Sequence, residues 1–350
     1  MQYRQALQLV ADHSTVSLAR RFIGHPVLGI INGRAGTTAK HRLLLRVVEN
    51  LTPAGSERTK SNDDLNVSTV WTDTVDALHE VMARWIRREY RSGGPAPIVV
   101  SFGGDGTHNQ VLQAVDNVPE VPSEGIWYFR VPLGSGNDAV GVESLEDVLD
   151  SLQGELAPRW IPEVEVVTPR RTLRAFNIAS VGIDAFVTMM HHRLRKLLPG
   201  NTYRLIANAA LLIYEKLVNL GPMSIVSDGE DLGTGDRILV AFGVHGHLTY
   251  GDHIRILPNE ENLCIFNRAS LLVKLKMKKL LMHGNHVHET VTTMRKTSEI
   301  TIRYDRRITV QVDGEADWLE PEDFPLVMRT RDRSRKVLQP ARFAEAETRI

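Results

Sequence analysis

Two apolar runs, residues 97–102 and 126–131, each stop at a glycine-rich turn: Gly103-Gly104-Asp105-Gly106-Thr107, and Pro132-Leu133-Gly134-Ser135-Gly136-Asn137-Asp138. Short apolar runs bounded by glycine read as buried strands, and a helical pattern follows each turn. Glycine lets the backbone turn sharply and approach a ligand closely, so main-chain N–H groups can point at phosphate oxygens. The helix that Thr107 and Asn109 would open adds the positive end of its dipole at the same place. Asp105 would repel phosphate unless a cation lay between them, which points to Mg²⁺, and the same reading extends to Asp138. Either turn alone is ordinary turn chemistry. Two of them at consecutive strand ends imply one nucleotide-sized cleft.

The first half of the chain alternates strand and helix signals, the pattern of a parallel sheet with crossover helices. Residues 27–31 form a candidate first strand that breaks at Asn32-Gly33-Arg34-Ala35-Gly36-Thr37, with a helix expected over 39–50. Residues 67–71 read as a second strand, with Thr72 or Asp73 as the cap of a helix whose apolar residues are Val75, Leu78, Val81, Met82 and Trp85. The polar segment 52–66 reads as an exposed loop, and 145–152 as a further helix. After Pro158 the character changes. Residues 160–167, 173–181, 237–244, 299–304 and 307–312 read as strands without regular helices between them, interrupted by one helical stretch over 202–218. These signals divide the chain into an α/β domain over 1–158, a mainly antiparallel β domain over 159–328, and a tail over 329–350 that could pack back as a helix.

Bulk properties narrow the function classes. Lys plus Arg and Asp plus Glu both number 42 in 350 residues, so no global field recruits nucleic acid or an acidic membrane. The single Cys264 excludes an internal disulfide and reads as a core residue of a protein in a reducing compartment. The N-terminal residues lack the apolar core of a secretion signal, and the longest apolar run, 205–214, is about half of what a bilayer requires. A cytoplasmic protein without a transmembrane segment is expected. No G-x-x-x-x-G-K-[ST] occurs, so the phosphate site is not that of a P-loop ATPase. His245, His247, His283, His286 and His288 show no zinc-site spacing and read as polar loop residues.

With these residues in hand, the chain resembles the diacylglycerol kinase catalytic family, the bacterial lipid kinases related to sphingosine kinases. The resemblance runs from about Val27 to Val327 in four ordered blocks: the turn at 103–107, the loop at 132–138, the segment 176–185, and Gln311-Val312-Asp313-Gly314-Glu315. It implies an N-terminal nucleotide domain like those of NAD kinases and phosphofructokinases, and a β-rich C-terminal domain carrying the lipid. ATP and Mg²⁺ would bind in the cleft, and a lipid hydroxyl would attack the γ-phosphate. The implied nucleotide residues are Asn32, Thr72, Gly103, Gly104, Asp105, Gly106, Thr107, Gly134, Ser135, Gly136 and Asn137, with Asp105 also toward the metal. Asp138 and Asp184 fall on the acceptor side. An alcohol needs a positioned base, for which Glu315 is the first choice and Asp105 the competitor. Without the resemblance, Glu315 reads as a solvated turn carboxylate and Asp184 equally as a strand-end cap. An NAD kinase, or a nucleotide or lipid binder without activity, is the alternative. The implied partner is a lipid at a membrane surface, peripheral at its inner face. The oligomeric state is open, a homodimer included.

Three positions depart from the family pattern. Gly33 and Ala35 replace the usual Pro and Ser of the first loop, Gln110 replaces a glutamate after Asn109, and Asn259-Glu260-Glu261-Asn262 replaces an acidic turn associated in some members with a structural Mg²⁺. The stretch 270–282 interleaves leucines with Lys274, Lys276, Lys278 and Lys279. It reads either as an element resting on an anionic membrane or as a solvated structural element, since residues 273–278 alternate as a strand would and the lysines surround a helical wheel.

Overall fold

The computed structural model describes residues 2–33, 44–49, 65–133, 144–194, 206, 210, 214–250 and 254–340. The chain divides into two compact units, Met1–Ile161 with Arg333–Ile350, and Pro162–Asp332. Among the described residues no helix is long and apolar enough to cross a membrane.

The first unit is a parallel sheet with helices. Strands β1 (Val27–Asn32), β2 (Val67–Thr72), β3 (Ile98–Gly103) and β4 (Trp127–Pro132) lie in the order β2-β1-β3-β4. All of these pairs are parallel. Every residue of β3 is buried, as a central strand covered on both faces requires. Helix α1 (Tyr3–Arg21) turns Leu7, Val10, Ala11, Ser14 and Leu18 inward. Its apolar spacing is diluted by Arg4, Asp12 and His13, so no element is legible there from sequence. Helix α2 (Val75–Glu89) is capped by Thr74, whose hydroxyl accepts from the Ala77 N–H at 3.2 Å. The cap expected at Thr72 or Asp73 is therefore corrected. Thr72 is the last strand residue, buried opposite Asn32, and has no freedom to cap. Helix α3 spans Asp105–Gln113 and α4 Leu145–Gln153. Residues 44–49 are helical, while the rest of the 39–50 expectation and most of the 52–66 loop fall outside the described residues.

The charged tail is a strand rather than a helix up to Pro340. Strand β17 (Leu326–Pro340) places Lys336 and Val337 parallel to Trp127 and Tyr128 of β4. Arg335 anchors this part of the strand: 2% exposed, it donates Nε to the Leu112 carbonyl at 2.9 Å and a terminal nitrogen to Asp116 at 2.7 Å. Arg335→Ala leaves the Leu112 carbonyl and Asp116 without this donor and opens a side-chain-sized void. A stability loss of about 2–4 kcal/mol is expected, read as a lowered urea midpoint.

The second unit is antiparallel. Its main path runs β16 (Glu315–Leu319), β15 (Ile308–Val312), β7 (Ile178–Gly182), β9 (Glu230–Gly243), β8 (Pro222–Ser227), β14 (Glu299–Arg303), then the first part of β17. Strand β12 (Leu263–Asn267) joins β9 to β13 (Thr292–Arg295), and β5 (Leu156–Val167) pairs with β6 (Thr172–Ala175). A short ribbon joins β10 (Leu248–Tyr250) to β11 (Ile254–Leu257). The expected strand over 173–181 is two strands, broken at Phe176 and Asn177. Helix α5 (Ile183–Leu194) and helix α6 (Leu271–His283) add to the helical stretch over 202–218, of which 214–218 are helical and most of the remainder is outside the described residues. Cys264 is buried in this core, and burial pushes its thiol up to about 12.

Charge is stitched through this unit by buried carboxylates. Glu165 accepts from Arg174, Arg329 and Arg331. Burial pushes its carboxyl up, but the three guanidiniums outweigh burial and hold it below the usual value of 4.5. Asp323, fully buried, is held low first by its hydrogen bond with Arg170. A depressed folded pKa contributes stability that is present above the unfolded value and lost as pH falls through the folded one. Stability of this unit is thus expected to be flat from pH 7 down to about 5 and to fall below about 4.5. Thermal melts across that range read it, and Glu165→Gln flattens the acid limb.

Candidate functional site

The expected nucleotide residues of the first unit that are described converge at the ends of β1, β2 and β3. Strand β3 ends in Gly103, and α3 begins two residues later at Asp105 with Gly104 as its N-cap. A Cβ on Gly103 would lie 2.5 Å from the Thr107 side chain, so only glycine lets the helix start fold back on the strand end. Asn32 donates Nδ2 to the Thr107 hydroxyl at 2.7 Å, joining the first loop to the glycine turn. Thr72 is buried at the end of β2, and its carbonyl accepts from the Gly33 N–H at 3.0 Å. The second loop, with Gly134, Ser135, Gly136, Asn137 and Asp138, lies outside the described residues; Leu133, the last described residue before it, donates its N–H to the Gly103 carbonyl at 2.7 Å.

Beneath the turn lies a polar group that the motifs do not announce. Arg130, in the middle of β4 and 1% exposed, donates to the Asp105 carboxylate. Next to it, Ser101 of β3 bonds the Nδ1 of His108 at 2.8 Å. Burial, then the Arg130 charge, push the His108 imidazole down to about 3, so it is neutral at ordinary pH. The signal for Arg130 was a lone charge inside the apolar run 126–131. A buried strand cation must find an anion, but which one depends on the β3–β4 register, which the sequence does not display. Asn109, also buried, has an Oδ1 without a hydrogen-bond partner.

In the second unit the late motif is a hairpin turn. Asp313 (φ 47°) and Gly314 (φ 86°) connect Val312 to its cross-strand partner Glu315, a two-residue loop of the type that matches strand twist. The Asp313 carboxylate accepts from the backbone N–H groups of Phe176, Asn177 and Ile178 at 2.5, 3.0 and 2.9 Å. That explains the break between β6 and β7, since donors there serve a side chain. Gln311 continues the link: its Oε1 accepts from the Gly314 N–H at 2.8 Å, its Nε2 donates to Ser180 at 2.9 Å, and the Ser180 hydroxyl donates to Asp184. Asp184 and the 311–315 motif are thereby joined in one network. Glu315 itself is exposed at the start of β16. An open groove of about 500 Å³ in this unit is lined by Arg303, Tyr304, Phe324, Pro325 and five other residues, none of them a predicted site residue.

The glycine turn between a central parallel strand and a helix, and Asn32 to which it is tied, fall within one stretch of the chain that has known counterparts. Residues 26–156 match the family model of the diacylglycerol kinase catalytic domain. The resemblance read from the sequence is borne out over this segment. No curated protein matches the chain. Among solved structures, a diacylglycerol kinase from Bacillus anthracis str. Sterne superposes with a TM-score of 0.57 at 14% identity, covering 91% of this chain and 98% of that one. Two further structures from the same organism, reported as candidate diacylglycerol kinases, give 0.59 at 16% and 0.57 at 17% identity with the same coverage. At these identities the likeness is one of fold.

In the segment that matches this family model, the start of α3 and the glycine backbone supply N–H donors suited to phosphate. The Asp105 carboxylate accepts from the buried Arg130 guanidinium, and among the described residues no three His, Cys, Asp or Glu side chains converge. At the departed turn near 259–262, Asn262 donates Nδ2 to the carbonyls of Gly243 at 3.2 Å and Thr297 at 2.9 Å, and accepts from the Thr297 N–H at 2.9 Å. An amide thus ties that turn to Gly243 and Thr297 by hydrogen bonds.

Proposed function

We propose that this protein is a lipid kinase that transfers the γ-phosphate of ATP to a hydroxyl of a diacylglycerol-like lipid. The observation that carries the reading is the glycine turn at the N-terminus of α3, with Thr107 bound to Asn32, inside the segment that matches the diacylglycerol kinase catalytic domain. The backbone N–H groups of that turn hold phosphate oxygens, and Asn32, Thr72 and the loop carrying Gly134, Ser135, Gly136 and Asn137 complete the nucleotide site. Asp138 and Asp184 serve the acceptor side. Asp105 would hold Mg²⁺ at the nucleotide's phosphates, directly or through water, where the ion would neutralise phosphate charge.

In the transfer, the lipid oxygen forms a bond to the γ-phosphorus while the bridging P–O bond breaks and ADP leaves. The hydroxyl proton goes to a carboxylate. We assign that role to Glu315, because the Asp105 carboxylate already accepts from Arg130 while Glu315 is exposed. Gln311, Ser180 and Asp184 hold the turn that presents it. Incubation of the purified protein with labelled ATP, Mg²⁺ and diacylglycerol dispersed in detergent tests the reading. A labelled phosphomonoester lipid supports it. Labelled NADP formed from NAD, with no labelled lipid, assigns the fold to the nicotinamide acceptor instead.

A further inference from the structure

Helix α6, residues Leu271–His283, carries four of the eight large apolar side chains exposed among the described residues: Leu271, Leu272, Leu275 and Met282. Leu272 is 79% exposed. At 3.6 residues per turn these four and Lys279 occupy about a third of the helix circumference. In sequence the lysines surround the wheel, but the fold sorts them. Lys274 is buried and bound to Glu215, and Lys276 pairs with Glu289 at 2.7 Å. Met277 fills the inward face. What faces out is an apolar strip with a lysine within it and no acidic residue anywhere on the helix.

We propose that this face of α6 docks on an anionic lipid bilayer, lying in the interface with its leucines at the acyl boundary and Lys279 among the head groups. Charge complementarity selects this occupant. A second copy of the chain meeting the same face across a two-fold axis would bring the same strip and the same lysine, with no acidic residue on either helix to answer the charge. An anionic surface supplies that counter-charge and accepts the leucines. The inference deepens the lipid kinase reading by naming the surface on which the acceptor is met, but it stands on the helix alone.

The test is co-sedimentation of the full chain with vesicles of phosphatidylcholine, and of phosphatidylcholine with phosphatidylglycerol in equal parts. Binding is expected to the anionic vesicles, weakened at least about tenfold by the double substitution Leu272→Ser and Leu275→Ser and about fivefold by Lys279→Gln. These side chains are exposed, so the variants keep the fold. Equal binding by the double variant overturns the proposal, as does no binding of the unaltered chain to anionic vesicles. A stable dimer in solution that the double variant converts to monomer also overturns it, in favour of a second copy. Binding is read without turnover, so its failure leaves the kinase reading to stand or fall on the phosphorylation assay with detergent-dispersed lipid.

Discussion

Asp105→Asn is expected to lower lipid phosphorylation by roughly 10²–10³-fold and, in the same variant, to lower stability by about 3 kcal/mol. Two effects arise because the carboxylate has two neighbours: the glycine turn, to which the proposed function assigns the nucleotide, and Arg130 beneath it, only 1% exposed. Neutralising Asp105 leaves a buried guanidinium with weakened compensation, and an uncompensated buried charge is costly. The two effects separate in a second variant. Asp105→Asn combined with Arg130→Met removes the buried cation together with the anion and recovers most of the stability without recovering turnover. Arg130→Met alone tests whether Arg130 positions Asp105: a rise in KM for ATP with the protein folded supports positioning, whereas unchanged kinetics limit Arg130 to a structural part. Turnover retained by Asp105→Asn would remove Asp105 from the site.

The late motif predicts a contrast between neighbours. Asp313 accepts three consecutive backbone N–H groups and sits at φ 47°, where Asp is tolerated and Ala is strained. Asp313→Ala removes the acceptor that these three N–H groups share at the start of a central strand, and a loss of about 3 kcal/mol is expected, seen as loss of cooperative unfolding in the second unit. Glu315→Gln, two residues on and exposed, is expected to leave the urea midpoint within about 0.5 kcal/mol while lowering turnover by about 10²-fold or more. The two variants measured side by side distinguish a motif kept for the hairpin from one kept for chemistry. If Glu315→Gln turns over normally, the base lies elsewhere.

Much of the first unit was legible because its signals are local. Glycines at 103 and 104, the strand before them and the helix after them are fixed by neighbouring residues, and Asn32 lies at a strand end that apolar periodicity reveals. What escaped depends on pairing between distant segments. Arg130 finds Asp105 through the register of β3 and β4, Asp313 finds residues 176–178 through the β15–β7 pairing, and β17 returns to β4 from the far end of the chain. Helix α6 was ambiguous for a related reason. Its lysines look evenly spread until Glu215 and Glu289, remote in sequence, draw two of them away.

Transfer of the γ-phosphate is itself the most direct test. Purified protein with γ-labelled ATP, Mg²⁺ and a total lipid extract in detergent should yield a labelled phospholipid that vanishes with Asp105→Asn and, at unchanged stability, with Glu315→Gln. Nucleotide binding without any labelled lipid, over extract and purified diacylglycerol alike, would contradict the kinase reading and leave a binding protein of the same fold.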